Sequence, residues 1–201
     1  GGPAMRWLSL VTFLPLAGVV ALLIGRKLSD DAARAAALVA SLATFVASLG
    51  LLAAFDGSAD GYQLVERATW FRSPHVQYLL GVDGVSLFLV LLTTFLVPVA
   101  ILASWKVSDR VRLYLAAILA LETATIGAFL ALDLLLFFLF FEALLFPMYL
   151  LIGIWGYGRR VYAAVKFFLF TMFGSAFLLV AILVLYRASG ALPDGPTFDV
   201  R

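Results

Sequence analysis

The 201-residue chain contains no cysteine, which excludes disulfides, cysteine-ligated zinc and iron–sulfur clusters. Its one histidine, His75, leaves no His-built metal site and no haem ligand pair. Charge is scarce too: 13% of residues are Asp, Glu, Lys or Arg, with a net charge of +2, against about 25% charged in soluble domains. So small and scattered a surplus does not imply a nucleic-acid partner. Sixteen glycines and seven prolines are too few and too aperiodic for collagen or a disordered tail. No Gly-rich nucleotide-binding turn and no short-period repeat is present. What remains is apolar. The chain is 64% hydrophobic with a mean hydropathy of +1.09, more apolar surface than a soluble fold of this size can hide. The composition is that of an integral membrane protein, all-α and polytopic.

A helix needs about 20 mostly apolar residues to cross a bilayer. Six stretches qualify: Trp7–Gly25, Ala35–Phe55, Gly84–Trp105, Arg112–Leu132, Asp133–Ile154 and Val161–Tyr186. Gly1–Ala4, ahead of Met5, reads as an upstream remnant. Arg6 before an apolar run would suit a signal peptide, but the run ends in Gly25-Arg26-Lys27 rather than at a small-residue cleavage site. Basic residues flank the first, third and fifth connections: Arg26, Lys27 and Arg34; Lys106, Arg110 and Arg112; Arg159 and Arg160. The second has only Arg67 and Arg72 among four acids, and the fourth is a tight turn at Asp133. The positive-inside rule then predicts cytoplasmic odd connections and an external N-terminus. The organisation expected is an external segment 1–6, two spans in 7–55, an external loop 56–83, four spans in 84–186 and an irregular external tail 187–201. Alternating aromatics at Thr69–Arg72 predict a short strand or hairpin, with Trp70 and Tyr78 in the interfacial belt.

Ionisable groups inside spans cost about 2.5–3.5 kcal/mol or more each at a helix centre, and so point to function. Glu142 lies nine residues beyond Asp133, about 13.5 Å deep, and Pro147 opens its helix locally. Glu122 lies at a similar depth in the neighbouring span, so two acids share a low-dielectric interior and cannot both be comfortably charged. A hydrogen bond from Thr123 or Thr125 is the structural alternative. Lys166 is about 7.5 Å inside the sixth span, placed either to snorkel or to present a buried ammonium to the same interior. Asp83 and Asp133 open helices, where an acid caps. Small residues at Gly127, Gly153, Gly174 and Ser175 permit close packing, and Pro15 and Pro98 are expected to kink their spans. The phenylalanines of 137–141 are read as packing or lipid-facing surface. Facing ions of opposite sign inside a bundle are the parts of a proton relay, and the residues expected to form it are Glu142, Lys166 and Glu122.

Several motifs, in order and with matching spacing, carry a resemblance. They are Gly81-Val82-Asp83-Gly84-Val85-Ser86-Leu87, Phe129 through Glu142, Pro147 through Gly156 and Ala163 through Thr171. From Met5 onward the chain resembles the antiporter-like membrane subunits of proton-pumping NADH–quinone oxidoreductase, respiratory complex I, in its subunit M or chain 4 branch. The resemblance implies a fourteen-helix subunit with two inverted five-helix repeats, of which this chain would supply the first six helices and the start of the first repeat. It implies that Glu142 pairs with a lysine on a discontinuous seventh helix, and that Lys166 lies near the channel. Glu122 matches a less uniform position. Without the seventh helix and second repeat, this segment alone should not pump. NADH, FMN, iron–sulfur clusters and quinone would belong to other subunits; this chain would hold no cofactor. Its partners would be sister antiporter-like subunits, lipid and protons, in a bacterial inner membrane. Two competing readings are a cation/proton antiporter or membrane hydrogenase subunit, and a membrane protein whose buried charges only hold helices together.

Overall fold

The computed structural model describes residues 6–25, 29–59, 61–71, 76–191 and 196–201. Arg26, Lys27, Arg72 and His75, together with residues 1–5 and 192–195, lie outside the described residues. Six helices dominate: α1 (Trp7–Ile24), α2 (Asp30–Ala54), α3 (Gly84–Ala103), α4 (Val111–Leu130), α5 (Leu134–Trp155) and α6 (Arg160–Ala188). All six are long and apolar enough to cross a membrane. Between α2 and α3 lie two antiparallel strands, β1 (Gln63–Phe71) and β2 (Val76–Val82).

The helix bounds follow the hydropathy within a few residues, and the largest departure has a local cause. The α2 helix starts at Asp30 rather than Ala35. Ser29 accepts a hydrogen bond from the Ala32 N–H at 3.2 Å, and Asp30 and Asp31 in the first turn complement the positive end of the helix. Pro15, Pro98 and Pro147 lie inside helices that continue through them.

α4 is the hub. It packs against α1, α2, α3 and α5, whereas among the described helices α6 packs only on α5. The interior of α1–α4 holds two apolar clusters. One, at the hairpin end, gathers Leu8, Val11, Leu51, Val90, Ile126 and Leu130. The other, at the far end, gathers Leu22, Ala37, Ile101, Leu115 and Leu119. Close approach is set by glycine: a Cβ at Gly127 would stand 2.3 Å from the Phe140 ring, and one at Gly18 would stand 2.7 Å from Ala40 and 2.8 Å from Leu119. At Gly174 nothing lies within 4 Å, so no neighbour in this chain requires glycine there.

The hairpin is longer than Thr69–Arg72 and ties the helix ends together. Glu66 on β1 accepts from the Leu8 N–H at 2.6 Å and from the Ser9 N–H at 3.1 Å, which caps α1. Ser9 Oγ also donates to Glu66 and lies 2.7 Å from the Tyr78 hydroxyl. Tyr78 is therefore an internal link rather than a belt residue. Asp83 caps α3 in a reciprocal box with Ser86. Asp133 caps α5 by accepting from the Leu135 and Leu136 N–H groups, and accepts from the Gln77 N–H of β2 at 3.0 Å. One carboxylate thus stands at the N-terminus of each odd-numbered helix. The α4–α5 turn, 131–133, is pinned on both sides. Leu132 donates to the Leu79 carbonyl of β2, and Val200 donates to the Leu132 carbonyl. Within the stretch read as an external tail, residues 196–201 lie back against the bundle. Phe198 is buried and stacks on Tyr186 with centroids 4.2 Å apart.

The far end is held by cations and indoles on carbonyls. Arg34 reaches the Val107 carbonyl at 2.9 Å, Arg112 the Gly25 carbonyl at 3.3 Å, and the Trp155 indole the Asp109 carbonyl at 2.8 Å.

Candidate functional site

Helix periodicity fixes where the intramembrane ions face. On α5, Phe138, Glu142, Leu145, Tyr149 and Gly153 recur at spacings of four, three, four and four, one stripe of the helix. Two of them touch α6: the Tyr149 ring meets Phe168 at 5.7 Å, and a Cβ on Gly153 would lie 3.4 Å from Ala164; Phe138 packs on the cluster that includes Ile182 of α6. Glu142 therefore sits at the α5–α6 seam, level with Ser175, which is buried. Its side chain is half-buried, and Oε1 is buried with no hydrogen-bond partner. Beside it, Phe141, Phe170, Thr171, Gly174, Ser175 and Leu178 line a groove of about 260 Å³.

Lys166 precedes Ser175 by nine residues. That is half a turn around α6 and about 13.5 Å along it. The lysine thus lies on the face of α6 turned away from α5; it is exposed in this chain, with Nζ 5.9 Å from the Tyr162 ring centroid. The structure does not bring Glu142 and Lys166 together.

Glu122 looks in a third direction. It shares a face of α4 with Leu115, Leu119 and Ile126, which pack on α1, α2 and α3, whereas Gly127 faces α5. It is 1% exposed, and both carboxyl oxygens lack a partner. The two glutamates are therefore on opposite sides of the α4–α5 pair.

Around Glu122 the interior turns polar. Thr12, Ser41, Thr44, Ser48 and Thr94 are each 0% exposed and separate the two apolar clusters. Their hydroxyls donate back to their own helices, and Ser48 and Thr94 meet across α2 and α3 at 2.8 Å. No ionisable residue other than Glu122 marks this layer, so charge alone does not disclose it in the sequence. The signal was present in α2: Ala33, Ala37, Ser41, Thr44 and Ser48 are small residues at helical spacing, and all are buried.

Two family models match this chain: residues 62–128 match the amino terminus of NADH-ubiquinone oxidoreductase chain 4, and residues 131–194 match the transmembrane family of NADH:quinone oxidoreductase and Mrp antiporters. NADH-quinone oxidoreductase subunit M of Rhodobacter capsulatus is 50% identical over 187 residues, 91% of this chain and 36% of that protein. The chain belongs to the antiporter-like membrane-subunit family. Within that family, subunit M of Rickettsia prowazekii is 42% identical over 89% of this chain, and chain 4 of Arabidopsis thaliana is 42% identical over 91% of it. The chain spans 37% of the length of each of those two relatives. Among solved structures, a chain of respiratory complex I from Thermus thermophilus superposes with a TM-score of 0.80 at 30% identity, over 96% of this chain and 38% of that one. A chain of an archaeal membrane-bound sulfane sulfur reductase shares the fold, with a TM-score of 0.76 at 21% identity over 96% of this chain and 29% of that one. With six apolar spans and this kinship, the antiporter-like chain is a multi-pass membrane protein.

Proposed function

We propose that this chain is the amino-terminal part of a proton-translocating membrane subunit of an NADH–quinone oxidoreductase, and that Glu142 takes up and releases the proton. The observation that carries the reading is a half-buried carboxyl with one unpartnered oxygen, about midway along a bilayer-spanning helix and at a helix seam. A carrier needs a group that is costly to leave charged in hydrocarbon yet is not locked by hydrogen bonds. Lys166 acts on it through the field rather than by contact. Glu122 faces elsewhere and is assigned no step of this route.

Quinone reduction, with NADH, FMN and iron–sulfur clusters, belongs in this reading to other subunits, and the sister antiporter-like subunits are its membrane neighbours. The chain itself would bind no cofactor and do no redox chemistry; it serves the translocase. The location proposed is a bacterial inner membrane, with the N-terminus and hairpin outside. Arg34, Lys106, Arg110, Arg112, Arg159 and Arg160 all stand at the far end, where the positive-inside rule favours them.

The test places Glu142→Gln in the full-length subunit within the assembled complex. Proton uptake into inverted membrane vesicles should fall at least tenfold while the complex assembles at its normal level, and Glu142→Asp should retain part of it. Unchanged pumping in an intact Glu142→Gln complex would reject the assignment.

A further inference from the structure

Glu122 is the one carboxyl in the α1–α4 interior of the described residues, with no cation beside it and no partner on either oxygen. Contacts across the bundle fix its level. Gly18 on α1 meets Leu119 on α4 and Ala40 on α2. Moving three residues toward the hairpin end along the antiparallel pair α1 and α4 reaches Pro15 and Glu122. The same step along α2 reaches the region of Thr44, and the Ser48–Thr94 contact then sets Thr44 level with Pro98 on α3. Pro15, Thr44, Pro98 and Glu122 thus form one buried layer. A proline inside a helix has no N–H for the carbonyl four residues before it. Pro15 leaves the Val11 carbonyl without that donor, and Val11 is itself buried in the cluster next to this layer.

A lone carboxylate in such a place would be expensive, and so would a lone carbonyl; a carboxylic acid and a carbonyl satisfy each other. We propose that Glu122 is a held proton rather than a moving one: its carboxylic O–H donates to the Val11 carbonyl that Pro15 leaves open, joining α4 to α1 across the middle of the bundle. Glutamate serves here as a hydrogen-bond donor, and its acidity is not used. The proline and the glutamate form a matched pair, each supplying what the other lacks.

Three variants of the full-length subunit in the intact complex test this. Glu122→Gln keeps an N–H donor and should assemble and pump within twofold of the parent. Glu122→Leu removes the donor and should lower the amount of assembled complex at least threefold. Adding Pro15→Ala, which restores a backbone donor to Val11, should recover part of that loss, a non-additive pair. The protonated carboxyl stretch lost in Glu122→Gln should persist in the infrared spectrum of the parent from pH 5 to pH 9. Loss of pumping in a well-assembled Glu122→Gln complex overturns the proposal, as does an infrared band that titrates away within that range. Strict additivity of the Leu and Ala substitutions overturns the choice of Val11. The outcome at Glu142 bears on the carrier route and not on this pair.

Discussion

Gly127 is where a single methyl group matters most to the α4–α5 contact. A Cβ there would stand 2.3 Å from the Phe140 ring, well inside van der Waals contact, and Phe140 also meets Phe13 of α1 at 6.3 Å. Overpacking of this kind costs about 1–3 kcal/mol. Gly127→Val should lower the melting temperature of the purified protein in detergent, and Phe140→Leu in the same chain should restore part of the loss. Asp83 gives a prediction with a definite sign. The Ser86 N–H bond holds its carboxyl below the usual carboxylate range. Its stabilisation is therefore complete above about pH 4, the unfolded value, and is lost as pH falls through the lower folded value. The stability gap between the parent and Asp83→Asn, followed by thermal unfolding, should close below about pH 4. A widening gap would contradict this. Caps such as Asp83 and Asp133 depend on a few neighbouring residues, so they stand out in the sequence. The facing of Glu142, Lys166 and Glu122 does not. Apolar residues surround α5 and α6 on all sides, and a helix without a polar face carries no signal of orientation; the groups that meet come from spans distant in the chain.

At the scale of elements, the hairpin behaves as a clasp. Glu66 is the strongest tooth, because a charged acceptor at two N–H groups of a helix start is a favourable cap. Glu66→Ala should destabilise the protein by about 1–2 kcal/mol and expose the strands to proteolysis, while Glu66→Gln should lose less. Equal digestion of the parent and Glu66→Ala would show that the clasp is held elsewhere. The sequence disclosed only a small part of this element. Its register shifts twice, between Gln63 and Glu66 and between Thr69 and Phe71, and Leu64 adopts a positive φ of 53°. Both features break the two-residue alternation by which a strand is recognised.

For the whole molecule, the six spans were legible because bilayer thickness imposes their length and hydrocarbon their composition. The absence of native cysteine turns the proposed orientation into a clean experiment. Gly57, at the exposed hairpin end, and Tyr157, 98% exposed at the other, can each be replaced by cysteine. An impermeant thiol reagent should label Gly57→Cys in intact cells, but Tyr157→Cys only after the membrane is opened; the reverse pattern would invert the topology. The pinned turn between α4 and α5 has its own bearing on motion. With 131–133 sewn between a strand and the returning segment, those two rods can shift only as a unit. α6 is fastened only at its two ends: Tyr186 stacks on Phe198 of the returning segment, and Gly158, whose backbone lies in the left-handed region at φ 60°, joins the other end to α5. Between those ends α5 is its one helical neighbour among the described residues, so any widening of the space around the Glu142 carboxyl is a bowing of α6 at mid-span.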